Sequence, residues 1–333
     1  MRGLVVGGKD IKKLTERAIV AYFSSFALGN SSNCRTTMQM NGGKRAAAWG
    51  LLGLFGLVLL CGVVLIVVPA AVGAILGPHA VGAFAESRGF QLVSTVVLFL
   101  VPVLMWQRTA GRRSPMRIVF GEWRARAMLL SALLPVALTP AIMALSACNE
   151  MLPLQEWAEN LEQAAAAAVE RFLYVKEWHL LLANIVVVAL VPAVCEELFF
   201  RGSVQPLLVR LTGNMHAGIW VTGLIFSLIH MQFAGALPRL VLGVLLGYLY
   251  HYGRGLWVPI VMHGVNNALG VIAYFVTARL GENPEVESAM VFDYWPLVVV
   301  SVVVSGFLVY QIARGAKDTS DASPDGFAAY TAH

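Results

Sequence analysis

The chain has 333 residues, of which 58% are hydrophobic and 13% are charged, and its mean hydropathy is +0.71. A soluble domain averages about 25% charged residues, so this composition excludes a chain whose whole surface faces water. The formal net charge of +5 does not indicate nucleic-acid binding, because the basic residues lie mostly in short loops between apolar segments. We therefore predict an all-α polytopic bundle of transmembrane helices in a lipid bilayer.

The N-terminal segment, residues 1–45, is more polar than the rest of the chain. Its apolar stretch at 18–28 is too short to cross about 30 Å of hydrocarbon. We expect this segment to be disordered, with Met38 or Met40 as alternative translation starts.

Eight later segments are apolar enough to predict membrane-crossing helices. They lie at about 46–76, 89–106, 127–147, 178–200, 215–233, 237–250, 256–278 and 295–313.

Basic and acidic residues occupy different loops between these spans. Six arginines lie in residues 107–126, whereas the acidic residues gather at 151–177 and in the loop after residue 279. Because Lys and Arg collect in cytoplasmic loops, we predict a cell-membrane protein, in the inner or plasma membrane, with both termini in the cytoplasm.

The first acidic segment also has an apolar face. Leu154, Trp157 and Leu161 recur at spacings of three and four, which predicts a helix lying at the membrane interface. The predicted parts of the chain are a polar N-terminal region (1–45), N-terminal transmembrane helices (46–150), an acidic interfacial segment (151–177), a core (178–278), and a last span with a polar tail (279–333).

The fourth span ends with two adjacent carboxylates and an arginine. Charged groups at membrane depth are costly unless they are paired, so they usually mark a functional site. Glu197 and Arg201 are four residues apart and can pair on one helix face, whereas Glu196 has no partner on its own face. Pro192 removes a backbone hydrogen bond and is expected to bend this helix.

Two later spans bring histidines into apolar surroundings. His230 follows Phe226 at the end of the fifth span, and His263 shares one face of the seventh span with Asn267. Taken singly, a packed histidine, an interhelical hydrogen bond or an ordinary helix end explains each feature. Together, a carboxylate base and neutral donors suit the activation of water and the stabilisation of an oxyanion.

Other catalytic motifs are absent from the sequence. There is no HExxH zinc helix, no GxSxG serine motif and no Gly-rich phosphate loop. Four cysteines without CxxC spacing are expected to be free, buried thiols: Cys34, Cys61, Cys148 and Cys195.

The ordered motifs EExxxR (196–201), FxxxH (226–230) and HxxxN (263–267) resemble the CPBP family of intramembrane proteases. This family is also called the CAAX-protease/bacteriocin-processing or Abi family, and the resemblance covers about 178–278. It implies an intramembrane endopeptidase that acts on a peptide or protein substrate at the membrane.

The resemblance also implies a role for each matching residue. Glu196 would activate water together with His230, and His263 and Asn267 would stabilise the tetrahedral oxyanion. The residues in supporting positions would be Glu197, Arg201 and Phe226.

The sequence leaves open whether the reaction uses a metal ion. The family is often labelled metalloprotease, and Glu196, His230 and His263 are the candidate ligands of a divalent zinc ion. The same residues fit a glutamate mechanism that requires no metal, which we favour.

Two other functions remain open from the sequence. The buried polar residues could form the proton or substrate path of a transporter, although no inverted repeat is evident. The chain could also be a non-catalytic membrane partner, for instance in self-immunity against bacteriocins.

The predicted spans contain one conflict. If the fifth span starts on the inside near Met215, His230 lies near the outside while Glu196 lies near the inside. Either the fourth helix sits deeper and continues past Arg201, or residues 202–214 dip into the bilayer.

Overall fold

The computed structural model describes residues 42–71, 74, 87–110, 118–281 and 293–317. Within these ranges the chain is helical and contains no β-strand, which confirms the predicted all-α fold. The predictions for residues 1–41, including the alternative starts, lie outside the described residues. The same holds for those on the acidic residues of 282–292 and on the tail from 318.

Nine helices make up the described part of the chain, and eight of them correspond to the eight predicted spans. They are α1 (Gly42–Ala71), α2 (Arg88–Thr109), α3 (Ala125–Glu150), α4 (Glu156–Leu173), α5 (Trp178–Thr212), α6 (Met215–Leu228), α7 (Ala236–Gly253), α8 (Trp257–Leu280) and α9 (Trp295–Lys317).

Six of these helices are long and apolar enough to cross a membrane: α1, α2, α3, α5, α8 and α9. Helix α6 is apolar but has only 14 residues, and α7 has 18 residues and is not among the six. The large side chains on the outer faces of α1 and α9 are exposed, for example Leu59 at 72% and Val303 at 64%. The chain is therefore a multi-pass membrane protein, and the orientation of its termini stays a prediction.

Helix α5 corrects the predicted boundary at residue 200 and the predicted linker 202–214. The helix continues without a break to Thr212, and only Gly213 and Asn214 separate it from α6. Gly213 ends the helix in the left-handed conformation (φ 69°), and the Asn214 side chain accepts a hydrogen bond from the Ala217 N–H at the start of α6.

The linker prediction was wrong because polar residues were mistaken for a loop. Ser203 and Gln205 are fully buried, and each donates to a backbone carbonyl, of Leu198 and Gly247 respectively. These bonds satisfy the polar groups inside the bundle. Glu196 consequently lies close to the middle of α5 rather than at its end.

Helix α5 is the central element of the bundle. Phe199 and Phe200 are fully buried and pack in one cluster with Leu54 of α1, Val103 of α2 and Phe226 of α6. The part of the helix from Trp178 to Phe199 also contacts α8. The fold thereby holds the charged residues of α5 in the interior.

The acidic segment forms α4, as the spacing of its apolar residues predicted. Trp157 and Leu161 are exposed, whereas Ala158 and Leu173 are buried. An exposed apolar face is what an interfacial helix requires, but its depth in a membrane stays a prediction.

The cysteine prediction is correct for two of the three described thiols. Cys61 and Cys195 are free and buried, but Cys148 is exposed. Cys148 lies on α3 between buried Ala147 and Asn149, so its side chain points away from the bundle.

Candidate active site

The predicted pair between Glu197 and Arg201 is present in the core. Arg201 Nη1 lies 2.8 Å from Glu197 Oε1, and both side chains are 0% exposed. Arg201 Nη2 also donates to the backbone carbonyl of Gly243 on α7, at 2.7 Å. The guanidinium carbon lies 5.0 Å from the centre of the Phe226 ring, so a cation–π contact adds to the ion pair.

Glu197 also connects α5 to the third motif. The Nδ1 atom of His263 on α8 lies 2.8 Å from Glu197 Oε1. An ionised carboxylate only accepts hydrogen bonds, so Nδ1 carries the proton in this contact. One oxygen of Glu197 therefore accepts from both Arg201 and His263, which fixes the orientation of the imidazole ring.

Glu196 has a different environment from its neighbour. Its Oε2 atom lies 3.9 Å from His263 Nε2, which is too long for a direct hydrogen bond. This buried oxygen has no hydrogen-bond partner among the described residues, and the same is true of Oε2 of Glu197.

His230 lies two residues beyond the end of α6. Its Nδ1 atom is 2.7 Å from the backbone carbonyl of Phe226, which can only accept, so Nδ1 donates. In the neutral ring Nε2 is then an acceptor. The Phe226 ring contacts both histidine rings, with centroid distances of 5.0 Å to His230 and 5.7 Å to His263.

A cavity of about 1110 Å³ brings the three motifs together. Glu196, His230, His263 and Asn267 all line it, together with Phe226. The helix α5 continues past its predicted end to Thr212, and it places Glu196 at the same cavity as His230.

The segment that carries the two glutamates lies between two π-helical segments. Val191–Phe199 is α-helical, with π-helical turns at Ile185–Leu190 before it and at Phe200–Val204 after it. Pro192, which lacks an N–H, follows the first of these. A π-helical turn adds a residue and changes the register of the side chains, and such turns are frequent at functional sites.

The cavity residues that the sequence analysis missed include Gln232, Arg239 and Asn266. Arg239 donates to the backbone and side-chain oxygens of Gln232 at 2.6 and 2.8 Å. Asn266 Nδ2 makes a long contact of 3.5 Å with Asn267 Oδ1. Arg239 was detectable, because it is a charged residue inside the predicted span 237–250.

The arrangement does not fit the zinc site that the sequence left open. Among the described residues, no three His, Cys, Asp or Glu side chains form a group that could hold a metal ion.

Comparison with known families supports the predicted resemblance. Residues 178–269 match the family model for type II CAAX prenyl endopeptidases that are Rce1-like, consistent with a CPBP-family intramembrane protease. The match includes every predicted site residue and supports an intramembrane endopeptidase in general. No curated protein and no solved structure gave a significant match to the chain.

Proposed function

We propose that the chain, with its Rce1-like segment, is an intramembrane endopeptidase that hydrolyses a peptide bond with water activated by Glu196. The observation that carries this proposal is that the Glu196 carboxylate lines one cavity together with His230, His263 and Asn267. In this proposal Glu196 is the base, His230 is a second acceptor for the water, and Asn267 and His263 are the oxyanion donors.

The reaction needs only these side chains, one water and the substrate. Glu196 removes a proton from the water, and the water oxygen forms a bond to the carbonyl carbon of the peptide. The carbonyl oxygen becomes the oxyanion of a tetrahedral intermediate. The C–N bond then breaks, and the proton on Glu196 passes to the leaving nitrogen.

The neighbouring residues hold the water and the oxyanion. Nε2 of neutral His230 accepts the second hydrogen of the water, because its Nδ1 proton is bonded to Phe226. Asn267 donates to the oxyanion through its side-chain amide.

His263 can donate to the oxyanion only if both ring nitrogens carry protons, since Nδ1 already donates to Glu197. With that proton the cluster of Glu196, Glu197, Arg201 and His263 has two negative and two positive groups. An electrically neutral cluster avoids the cost of an uncompensated charge in the membrane interior.

The mechanism uses no metal, since the donor geometry does not suit zinc. We expect protein with less than one equivalent of bound zinc to cleave its substrate at the full rate, and a strong chelator to leave that rate unchanged. Loss of activity on chelation, with recovery on addition of zinc, would contradict this part of the proposal.

The test of the function itself is cleavage by protein purified in detergent and returned to liposomes. Prenylated CAAX-type peptides, the same peptides without the lipid, and bacteriocin-type precursor peptides are compared, with mass spectrometry of the products. We expect cleavage of at least one class by the wild-type chain and none by Glu196→Ala. Full activity of Glu196→Ala, or ion or substrate flux without cleavage, would reject the proposal in favour of another mechanism or a transporter.

A further inference from the structure

His230 lies in the connection between α6 and α7, and residues 229–235 are named the His230 loop here. The His230 side chain is held by Phe226 of α6, through the bond from Nδ1 to the Phe226 carbonyl and through the contact with the Phe226 ring. The next residue, Met231, has a φ of 53°, in the left-handed region that non-glycine residues seldom occupy. The shape of this loop therefore depends on contacts from elsewhere in the bundle.

Asn149, at the end of α3, makes three hydrogen bonds to the His230 loop and the start of α7. Its Nδ2 atom donates to the carbonyls of Phe233 and Ala234, both at 2.8 Å, and its Oδ1 atom accepts from the Leu237 N–H at 2.9 Å. The side chain is buried, at 3% exposure. Because the two carbonyls can only accept and the N–H can only donate, the orientation of the amide is fixed.

Two charged side chains also contact the His230 loop. Glu162 of α4 accepts from the Ala234 N–H at 3.1 Å, and Arg239 of α7 donates to the Gln232 carbonyl at 2.6 Å. The Trp157 ring of α4 also meets the Phe233 ring, at a centroid distance of 5.3 Å. Asn149 differs from Glu162 and Arg239 in fixing three backbone groups at once.

We propose that Asn149 is a positioning residue for the reaction: through its bonds to Phe233, Ala234 and Leu237 it sets the place of His230 in the cavity. This inference rests on the proposed function, in which His230 holds the water. Asn149 lies outside the Rce1-like segment 178–269. The site therefore depends on a part of the chain that carries none of the three motifs.

The first measurement compares Asn149→Ala with the wild-type chain in the cleavage assay. Misplacing a catalytic group by about 1 Å costs on the order of 100-fold in rate, so we expect kcat to fall by about 10- to 100-fold with KM unchanged. The matched control is Ser301→Ala. Ser301 of α9 is also buried, donates to the Ala137 carbonyl of α3 at 2.6 Å, and lies outside the cavity. Ser301→Ala should lose stability but keep its kcat.

An isosteric variant separates positioning from packing. Asn149→Asp keeps the acceptor for the Leu237 N–H but places a carboxylate oxygen against two carbonyls. We expect its kcat to be no higher than that of Asn149→Ala. Wild-type kcat in Asn149→Asp would mean that Asn149 only fills space, and would overturn the inference.

Amide hydrogen exchange gives a readout that does not depend on activity. In Asn149→Ala the Leu237 N–H loses its acceptor, so its exchange should become faster, whereas Ser301→Ala should leave it unchanged. Unchanged exchange at Leu237, or unchanged kcat in Asn149→Ala, overturns this inference alone. A wild-type chain that cleaves nothing, although it is folded and its Leu237 amide is protected, contradicts the proposed function instead.

Discussion

Two adjacent glutamates, Glu196 and Glu197, lie in regions of opposite character. Glu197 is fully buried and bonded to Arg201 and His263 through one oxygen. Glu196 lines the cavity, which Glu197 does not, although each residue has an Oε2 atom without a hydrogen-bond partner among the described residues. Glu197 therefore belongs to a closed ion pair, whereas Glu196 lies at an open cavity. The surroundings of each carboxylate, and not its residue type, determine its role.

Among variants that keep both glutamates, the largest effect is expected on the cavity side, from His230→Ala. General acid–base groups contribute about 10²- to 10⁴-fold to rate, and we expect kcat to fall by that amount while the thermal unfolding temperature changes little. The matched control is His216→Ala, since His216 lies at the other end of α6, bonded to Tyr248 and outside the cavity. Equal activity of the two variants would remove His230 from the mechanism.

The next largest effect is expected from Arg201→Met, on the free energy of unfolding. Arg201→Met leaves Glu197 buried without its guanidinium and breaks the bond to the Gly243 carbonyl. Removing one partner of a buried pair costs about 3–5 kcal/mol, which denaturant unfolding in detergent would measure as a lower free energy of unfolding. A loss below about 1 kcal/mol would show that the pair is not structural.

Asn267→Ala changes a residue that lines the cavity, and we expect a smaller loss of kcat than in His230→Ala. Removing one oxyanion donor costs about 10²- to 10³-fold in kcat, so a weak residual cleavage should remain. Asn266→Ala should have a smaller effect, because Asn266 contacts Asn267 only at 3.5 Å. A larger loss in Asn266→Ala would exchange the roles of the two amides.

The smallest effect is expected from Gly243→Ala, beside the ion pair. A Cβ atom there would lie 3.0 Å from the Gly223 Cα and 3.1 Å from the Phe226 ring. Overpacking of this kind costs about 1–3 kcal/mol in the free energy of unfolding. Gly306→Ala on α9 is the control, since its Cβ would have no neighbour within 4 Å. Equal stabilities of the two variants would contradict close packing of α6 against α7.

Much of the fold and the site was predictable from local sequence patterns. The four-residue spacing of Glu197 and Arg201 predicted their pair. Hydropathy located the six helices that are long and apolar enough to cross a membrane, but it also predicted spans at α6 and α7, which are not among the six. Residue spacing and hydropathy are both local properties, so they can be determined from a single sequence. The common cavity of Glu196, His230, His263 and Asn267 followed from the three motifs only through their resemblance to a known family.

The remaining features depend on contacts between distant parts of the chain. The continuation of α5 past Arg201 was one of two alternatives from the sequence, because it depends on a contact of Gln205 with the Gly247 carbonyl on α7. The role of Asn149 was likewise hidden, since its partners lie 84 to 88 residues away. Polar residues resemble a loop in the sequence until the groups that satisfy them are known.

The most direct test of the account measures turnover and stability together for Glu196→Gln and Glu197→Gln. We expect Glu196→Gln to lose cleavage while it keeps the wild-type free energy of unfolding. Glu197→Gln should lose stability, because it weakens the bonds to Arg201 and His263. Wild-type cleavage by Glu196→Gln, or the same loss of stability in both variants, would contradict the division of roles between the two glutamates.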